Sequence, residues 1–424
     1  MNQLSFTIID SCRVCKSFLL FRSIELGSLV SCGIFQKLSD AQSPSGLLNL
    51  AICEECLLVQ TDRNFNLDEL FKIEYGYESS LNSTMSSHLK NIIEEFKSCN
   101  YRTRSQNYLD IGSNDGTLIN YVVNEQLFDK HYAVDPTISK FRKQYSKEVY
   151  LFPDFFSFKM AQELDTLGGN FDLVTSIAMF YDLPDPNDFV QGITHLLAPN
   201  GIWILELSYL YSMINALAFD TICHEHLQYY SVKSLKYLIE LHKLKIVKIE
   251  KNDSNGGSMR LHISHVSANY EQLDLTYFLD MEDSNAQEVN LRLHQMMKEV
   301  DKNIILVREF IESALSKNNV LHGLGASTKG NTFLQYAGLG KRELPFIAEV
   351  NQKKYGKVTP GTRIPIISEN DSESMEPNFY LVLPWHFREN IISKKKDFML
   401  GGGKLIFVFP KFEVISINDT EKSS

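Results

Sequence analysis

From residue 85 onward the pattern of apolar and polar positions alternates between two periods. Met85, Leu89, Ile92, Ile93 and Phe96 recur at three- and four-residue steps, which is one face of a helix. Short apolar runs then alternate with helical stretches: NYLDI and a helix over 118–128, HYAVD, FDLVTSIA and a helix over 189–197, then GIWILEL. Strands interleaved with helices over so long a stretch predict a doubly wound, mostly parallel sheet. LKIVKIE and SMRLHISH read as two more strands that extend this sheet antiparallel at one edge. From 285 to 317 neither Gly nor Pro occurs, and Leu293, Met297, Val300, Ile304, Val307, Ile311 and Ala314 step alternately by four and three. That seam predicts a long helix suited to packing between domains or to a dimer contact. A second α/β pattern follows: VLHGLG, a helix over 331–336, LPFIAEV, FYLVLPWHF and KLIFVFP.

Composition narrows the class. The chain has 424 residues, 44% of them hydrophobic and 22% charged, which is ordinary for a globular protein of several domains and excludes a disordered chain. Asp plus Glu number 52 against 42 Lys plus Arg, a net charge of −10, and no basic block occurs; a nucleic-acid partner is disfavoured. No apolar run approaches the roughly 18 residues of a membrane span, and MNQLSFTIID lacks the basic end and apolar centre of a secretory signal. Seven Cys are too few for a disulfide scaffold and odd in number, which points to a reducing, cytoplasmic setting and to metal ligands rather than bridges.

Four of the seven form two C-x-x-C pairs, Cys12/Cys15 and Cys53/Cys56. A two-residue spacer lets two thiolates converge on one tetrahedral ion, and two such pairs make a closed, structural zinc site. Cys32 and Cys99 read as small buried residues. The flanking Glu25, Asp40, Glu54, Glu55 and Asp62 make this module a fold staple or substrate platform, not a reader of bases.

In YLDIGSNDGTLI a strand ends on Asp110 and turns through Gly112, Asn114 and Gly116 into a helix. Gly in that turn lets backbone approach a ligand at the carboxyl end of a parallel strand. The spacing is not G-x-G-x-x-G, so a dinucleotide fits poorly, while Asp135 in HYAVD offers a carboxylate to ribose hydroxyls. Together these resemble the S-adenosylmethionine (SAM) site of class I methyltransferases. After GIWILEL comes FDTICHEHLQYYS, with His224, Glu225 and His226 in a row. In an extended stretch His224 and His226 share one face and Glu225 points away. His-x-His without a third ligand is a weak metal signal; a base with nearby donors suits removal of a proton next to a carbonyl. Near 323–331, Gly323, Gly325, Lys329, Gly330 and Asn331 lie between a strand and a helix, where backbone amides and a lysine suit a diphosphate.

These segments, with YGYESS, VDPT, NGGSMRLHIS, GASTKGNTFLQY, TPGTRIPI and LVLPWHF, resemble the SAM-dependent C-methyltransferases of deoxysugar biosynthesis nearly end to end. The resemblance implies a zinc-binding module over 1–72, a class I SAM domain over 73–283, a linking helix over 284–318 and a Rossmann-like α/β domain over 319–424. It implies SAM and structural zinc as cofactors, and as substrate a nucleotide-activated 4-keto-deoxysugar, typically thymidine-diphosphate-linked. Nucleic acid and membrane are not expected partners, and a monomer or homodimer is expected. By motif, His226 becomes the base, Glu225 its active-site partner, and Tyr77 a contact to substrate or enolate. Tyr75, His224, Lys329, Asn331 and Arg363 become substrate contacts. Four positions depart from the family pattern: Cys223 stands for an active-site Tyr, Asp182 and Asn255 for His, and Gln352 for Pro. The alternatives are a methyltransferase for oxygen or nitrogen of another small molecule, or a catalytically weakened binder of nucleotide sugars.

Overall fold

A computed structural model describes residues 4–66, 70, 78–81, 83–101 and 106–420. Tyr75 and Tyr77 lie outside the described residues. The central sheet has seven strands in the order Val149–Phe152, Lys130–Val134, Asn107–Ile111, Phe171–Ile177, Leu197–Ser208, Ser258–His265 and Leu244–Asn252. The first five are parallel; LKIVKIE and SMRLHISH extend the sheet at one edge through antiparallel pairings, with Ser258–His265 alone running against the rest and Leu244–Asn252 pointing the same way as the first five. The order reverses between Asn107–Ile111 and Phe171–Ile177, which opens a crevice at their carboxyl ends. One helix over the sheet starts where Asp185, followed by Pro186, accepts bonds from the amides of Asn187 and Asp188. Met85, Leu89, Ile92, Ile93 and Phe96 bury one face of the helix Ser83–Ser98 against the opposite side.

The carboxyl-terminal sheet has six strands, Ile366–Ser368, Ile347–Glu349, Leu321–Leu324, Phe379–Val382, Lys404–Phe407 and Glu413–Ile415, with only the last antiparallel. Its own reversal falls at Leu321–Leu324, next to the turn that opens the helix Thr328–Tyr336. Between the two sheets the helix Ala286–Ser316 buries Leu293, Val300, Ile304, Val307, Ile311 and Ala314. Asn303 on this helix donates to the carbonyls of Val408 and Pro410, and Asn290 accepts from Ser23. The heptad seam is spent within the chain.

The amino-terminal module is a small antiparallel sheet, and it is woven into both α/β units. Val59–Thr61 pairs with Gln228–Tyr229 of the central unit, and Gln36–Lys37 pairs with Lys357–Val358 of the carboxyl-terminal one. Arg13, inside the first cysteine pair, is buried at 3% exposure and donates to the carbonyls of Thr61 and Arg63 and to the side chains of Gln60 and Asn64. A buried guanidinium of this kind is tolerated because its donors are satisfied.

Candidate active site where three modules meet

The two cysteine pairs converge. The sulfurs of Cys12, Cys15, Cys53 and Cys56 all lie within 4.8 Å of one another, with Cys12 to Cys56 at 3.5 Å and Cys15 to Cys53 at 3.3 Å. A tetrahedral zinc with bonds of about 2.3 Å sets sulfur–sulfur edges near 3.8 Å, so the four thiols fit that ion closely. Cys32 is buried, but Cys99 is partly exposed.

At the crevice of the central sheet, Gly112 and Gly116 adopt φ of 75° and 79°. A Cβ on Gly112 would come within 2.7 Å of Met179 Cγ, and one on Gly116 within 2.9 Å of the Tyr145 ring. Beside this turn is a cavity of about 320 Å³ lined by Ile111, Gly112, Val134, Phe155, Phe156 and Met179. Asp135 sits in the chain between two lining residues, Val134 and Pro136: its Oδ2 accepts from the Asn114 amide at 2.9 Å, and its Oδ1 from both the amide (2.6 Å) and the hydroxyl of Thr137. Those bonds fill Oδ1 and leave a lone pair on Oδ2 for a hydroxyl. Asp110 accepts from Thr175 at 2.7 Å, while its other oxygen is buried without a partner among the described residues. Burial pushes its carboxyl up to about 7, the Thr175 bond opposing. The Asn114 side chain turns instead to the Ser79 amide. The glycine cradle, the cavity and the orphaned oxygen fit SAM. Gly112→Ala is expected to weaken SAM binding at least tenfold and to cost ~1–3 kcal/mol of stability from the positive φ alone. Calorimetric titration and a thermal melt read the two effects.

The His-Glu-His segment bends at His224 and Glu225, so the shared face expected for His224 and His226 does not form. His224 faces the zinc module: its ring packs on Phe65, and Nε2 bonds to the Gly46 carbonyl at 3.1 Å. Glu225 faces Cys32, whose thiol donates to Oε2 at 3.5 Å. His226 packs edge-on to Tyr181, and its Nδ1 donates to the Thr221 carbonyl at 2.8 Å. That bond keeps the proton on Nδ1 and leaves the lone pair on Nε2. Glu225 and His226 are therefore sequence neighbours without a bond between them. Burial, and then the nearby Lys329 cation, lowers the His226 pKa to about 3.

Lys329 reaches into the same place from the carboxyl-terminal crevice. Its Nζ donates to the Asn255 carbonyl at 2.6 Å, with Asp220 and Cys223 as electrostatic neighbours; burial lowers its pKa. Trp385 Nε1 donates to Asp220 at 2.9 Å, so two loops of the carboxyl-terminal sheet meet the loop before His226. Asn331 is fully buried and donates to the Cys32 carbonyl at 2.9 Å. Arg363 donates to the carbonyls of Leu38 and Asp40 and ties TPGTRIPI to the amino-terminal module. The sequence did not single out Trp385, Asp220, Cys32 or Thr221 as site residues. Trp385, inside LVLPWHF, and Asp220 and Thr221, inside FDTICHEHLQYYS, carried a signal that could have done so; Cys32 did not.

A class I sheet with a cradle for SAM, a four-thiol zinc site and a second α/β unit define a SAM-dependent methyltransferase of three parts. Residues 12–71 match a zinc binding domain, 81–249 a methyltransferase domain, and 253–410 a C-methyltransferase C-terminal domain. C-methyltransferase NovU of Streptomyces niveus is 28% identical over 417 residues, covering 97% of this chain and 98% of that protein. Together the three matches run from residue 12 to residue 410, so the chain is similar, part by part, to C-methyltransferases that combine these domains. Among solved structures, a SAM-dependent methyltransferase of Clostridium acetobutylicum aligns over 47% of this chain and 95% of its own, with 13% identity and a TM-score of 0.32. The Haloferax volcanii complex of Trm112 with a methyltransferase aligns over 43% and 95%, with 11% identity and a TM-score of 0.34. The strand order defines the fold independently of those scores. Among the described residues, no helix is long and apolar enough to cross a membrane.

Proposed function

We propose that the enzyme methylates a carbon alpha to the ketone of a nucleotide-activated 4-keto-deoxysugar, with His226 as the base. One observation carries this reading. His226 holds a lone pair on Nε2 while Lys329, from the diphosphate-type turn of the other α/β unit, lies within its electrostatic reach. A methyltransferase for simple oxygen or nitrogen acceptors has no use for that second crevice.

In this reading Nε2 of His226 takes the alpha proton and the Thr221 carbonyl steadies the imidazolium that forms. When bound, SAM supplies an electrophilic methyl on a positive sulfur. Lys329 and the amides opening the helix Thr328–Tyr336 hold the diphosphate, which aligns the sugar. An anionic substrate offsets the Lys329 cation, so the His226 pKa rises in the complex toward a value useful for proton abstraction. Tyr77 remains a candidate contact to the enolate oxygen, and Glu225 a candidate active-site carboxylate. The cysteine cluster needs thiols kept reduced, which supports a cytoplasmic setting.

The test is incubation with SAM and a thymidine-diphosphate 4-keto-6-deoxysugar in heavy water, followed by mass spectrometry. The expected products carry one added methylene unit, with deuterium exchanged at the alpha carbon when SAM is omitted. Methylation of an oxygen or nitrogen acceptor in place of the keto-sugar would overturn the reading.

A further inference from the structure

Glu225 is a buried carboxylate in unusual company. Cys32 comes from the amino-terminal module and Cys223 from the turn before Glu225, yet the two sulfurs and a Glu225 oxygen all lie within 4.8 Å of one another. All three residues are at most 3% exposed. Cys32 Sγ stands 3.5 Å from Glu225 Oε2, close to the edge of about 3.6 Å that a tetrahedral zinc sets between thiolate and carboxylate ligands. Glu225 Oε1 is buried and has no hydrogen-bond partner among the described residues. The backbone closes over that oxygen, since a Cβ on Gly33 would come within 2.8 Å of it.

The charge there is unbalanced. Asp182, half-buried, is a second carboxylate close enough to repel Glu225, and its Oδ1 is buried without a partner among the described residues. Lys329 is the cation nearby, but its Nζ is bonded to the Asn255 carbonyl, and Asp220 is its stronger electrostatic neighbour. A carboxylate in such a place is expensive unless a cation joins it. Two thiols beside it select the chemistry of that cation, because sulfur favours zinc-class ions over magnesium or calcium.

We propose that Cys32, Cys223 and Glu225 bind a divalent ion of the zinc class, in a second site separate from the four-cysteine cluster. Three protein ligands leave the fourth position open, the arrangement of catalytic rather than structural zinc. The site also joins the amino-terminal module to the segment carrying His226, so the ion would tie the two together. Resting on the keto-sugar reading, the open position is suited to the ketone oxygen of the substrate. The site itself does not depend on that reading.

Zinc content measures it without any substrate. Full-length protein, loaded with zinc under reducing conditions and dialysed, is expected to retain two ions per chain by elemental analysis. Cys32→Ser and Cys223→Ser are each expected to retain one. A single ion in the unaltered protein would overturn the proposal, as would two ions in both variants, or a Cys32–Cys223 disulfide in the zinc-loaded protein. If the variants do not fold, cobalt loading of the unaltered protein decides. A second equivalent should add sulfur-to-cobalt absorption of about half the intensity of the first, two thiolates against four. No added band would sink the site. Either result leaves the methyl-transfer assay free to succeed or fail on its own.

Discussion

His226→Ala is expected to lower kcat for methyl transfer by about two to four orders of magnitude, the usual contribution of a positioned base. SAM affinity should stay within a few-fold, because the cavity beside Gly112 does not include His226. Exchange of the substrate's alpha hydrogen into heavy water should vanish together with methylation, since both need the same proton to leave. The pH profiles give an independent reading of the same residue. In the free enzyme, burial and the Lys329 cation hold His226 in its neutral form down to about 3, so kcat/KM should persist as pH falls through 6.5. Bound anionic substrate raises that pKa, so the acid limb of kcat should lie at higher pH than that of kcat/KM. Lys329→Met removes the cation and is expected to move the kcat/KM limb upward. A His226→Ala enzyme that methylates and exchanges at the normal rate would dismiss His226 as the base, whatever the substrate proves to be.

Cys53→Ser, or stripping zinc with a strong chelator, is expected to abolish activity although no cluster thiol lines the SAM cavity. The reason is mechanical. Cys53 ends the strand Ser45–Cys53, which pairs with Val59–Thr61, and that strand pairs with Gln228–Tyr229 just past His226. The Thr61 amide also donates to the Leu227 carbonyl at 2.9 Å. Binding of a structural zinc is worth about 10–16 kcal/mol in small zinc peptides, more than the total stability of most domains. Loss of the ion should therefore unfold the amino-terminal module and release the His226 segment. The expected signature is an early, separate thermal transition with SAM binding largely retained. A chelated enzyme that has lost its zinc but keeps full activity would refute this coupling.

Much of the fold is legible from pattern. The 3.6-residue period of Met85 to Phe96 marks a helix because one face must leave water, and alternation of strand and helix marks a parallel sheet because each crossover covers a face. The cysteine pairs are legible because thiolate spacing is itself the chemistry. The strands Gln36–Lys37 and Gln228–Tyr229 are not legible, because two residues carry no period and their pairing depends on partners far along the chain. The His-Glu-His trio shows the same divide. Its residue types announce chemistry, but a bend sends His224 to Gly46, Glu225 to Cys32 and His226 to Tyr181. Cys32 carried no signal of its own, since its neighbour Cys223 lies 191 positions away (223 − 32).

The class of the protein was already readable in the sequence: two α/β units, a four-thiol zinc site, a glycine turn for SAM and a segment dense in titratable side chains. These are local properties, set by periodicity, by spacing and by the conformations open to Gly112 and Gly116. Where each of the three titratable neighbours points was set by the tertiary structure alone. Only it brought Lys329 up to His226, and Cys32 and Cys223 to Glu225. Such meetings come from packing three modules against one another, where each buried polar group must find a partner, and that partner is fixed by contacts between segments that no local pattern records.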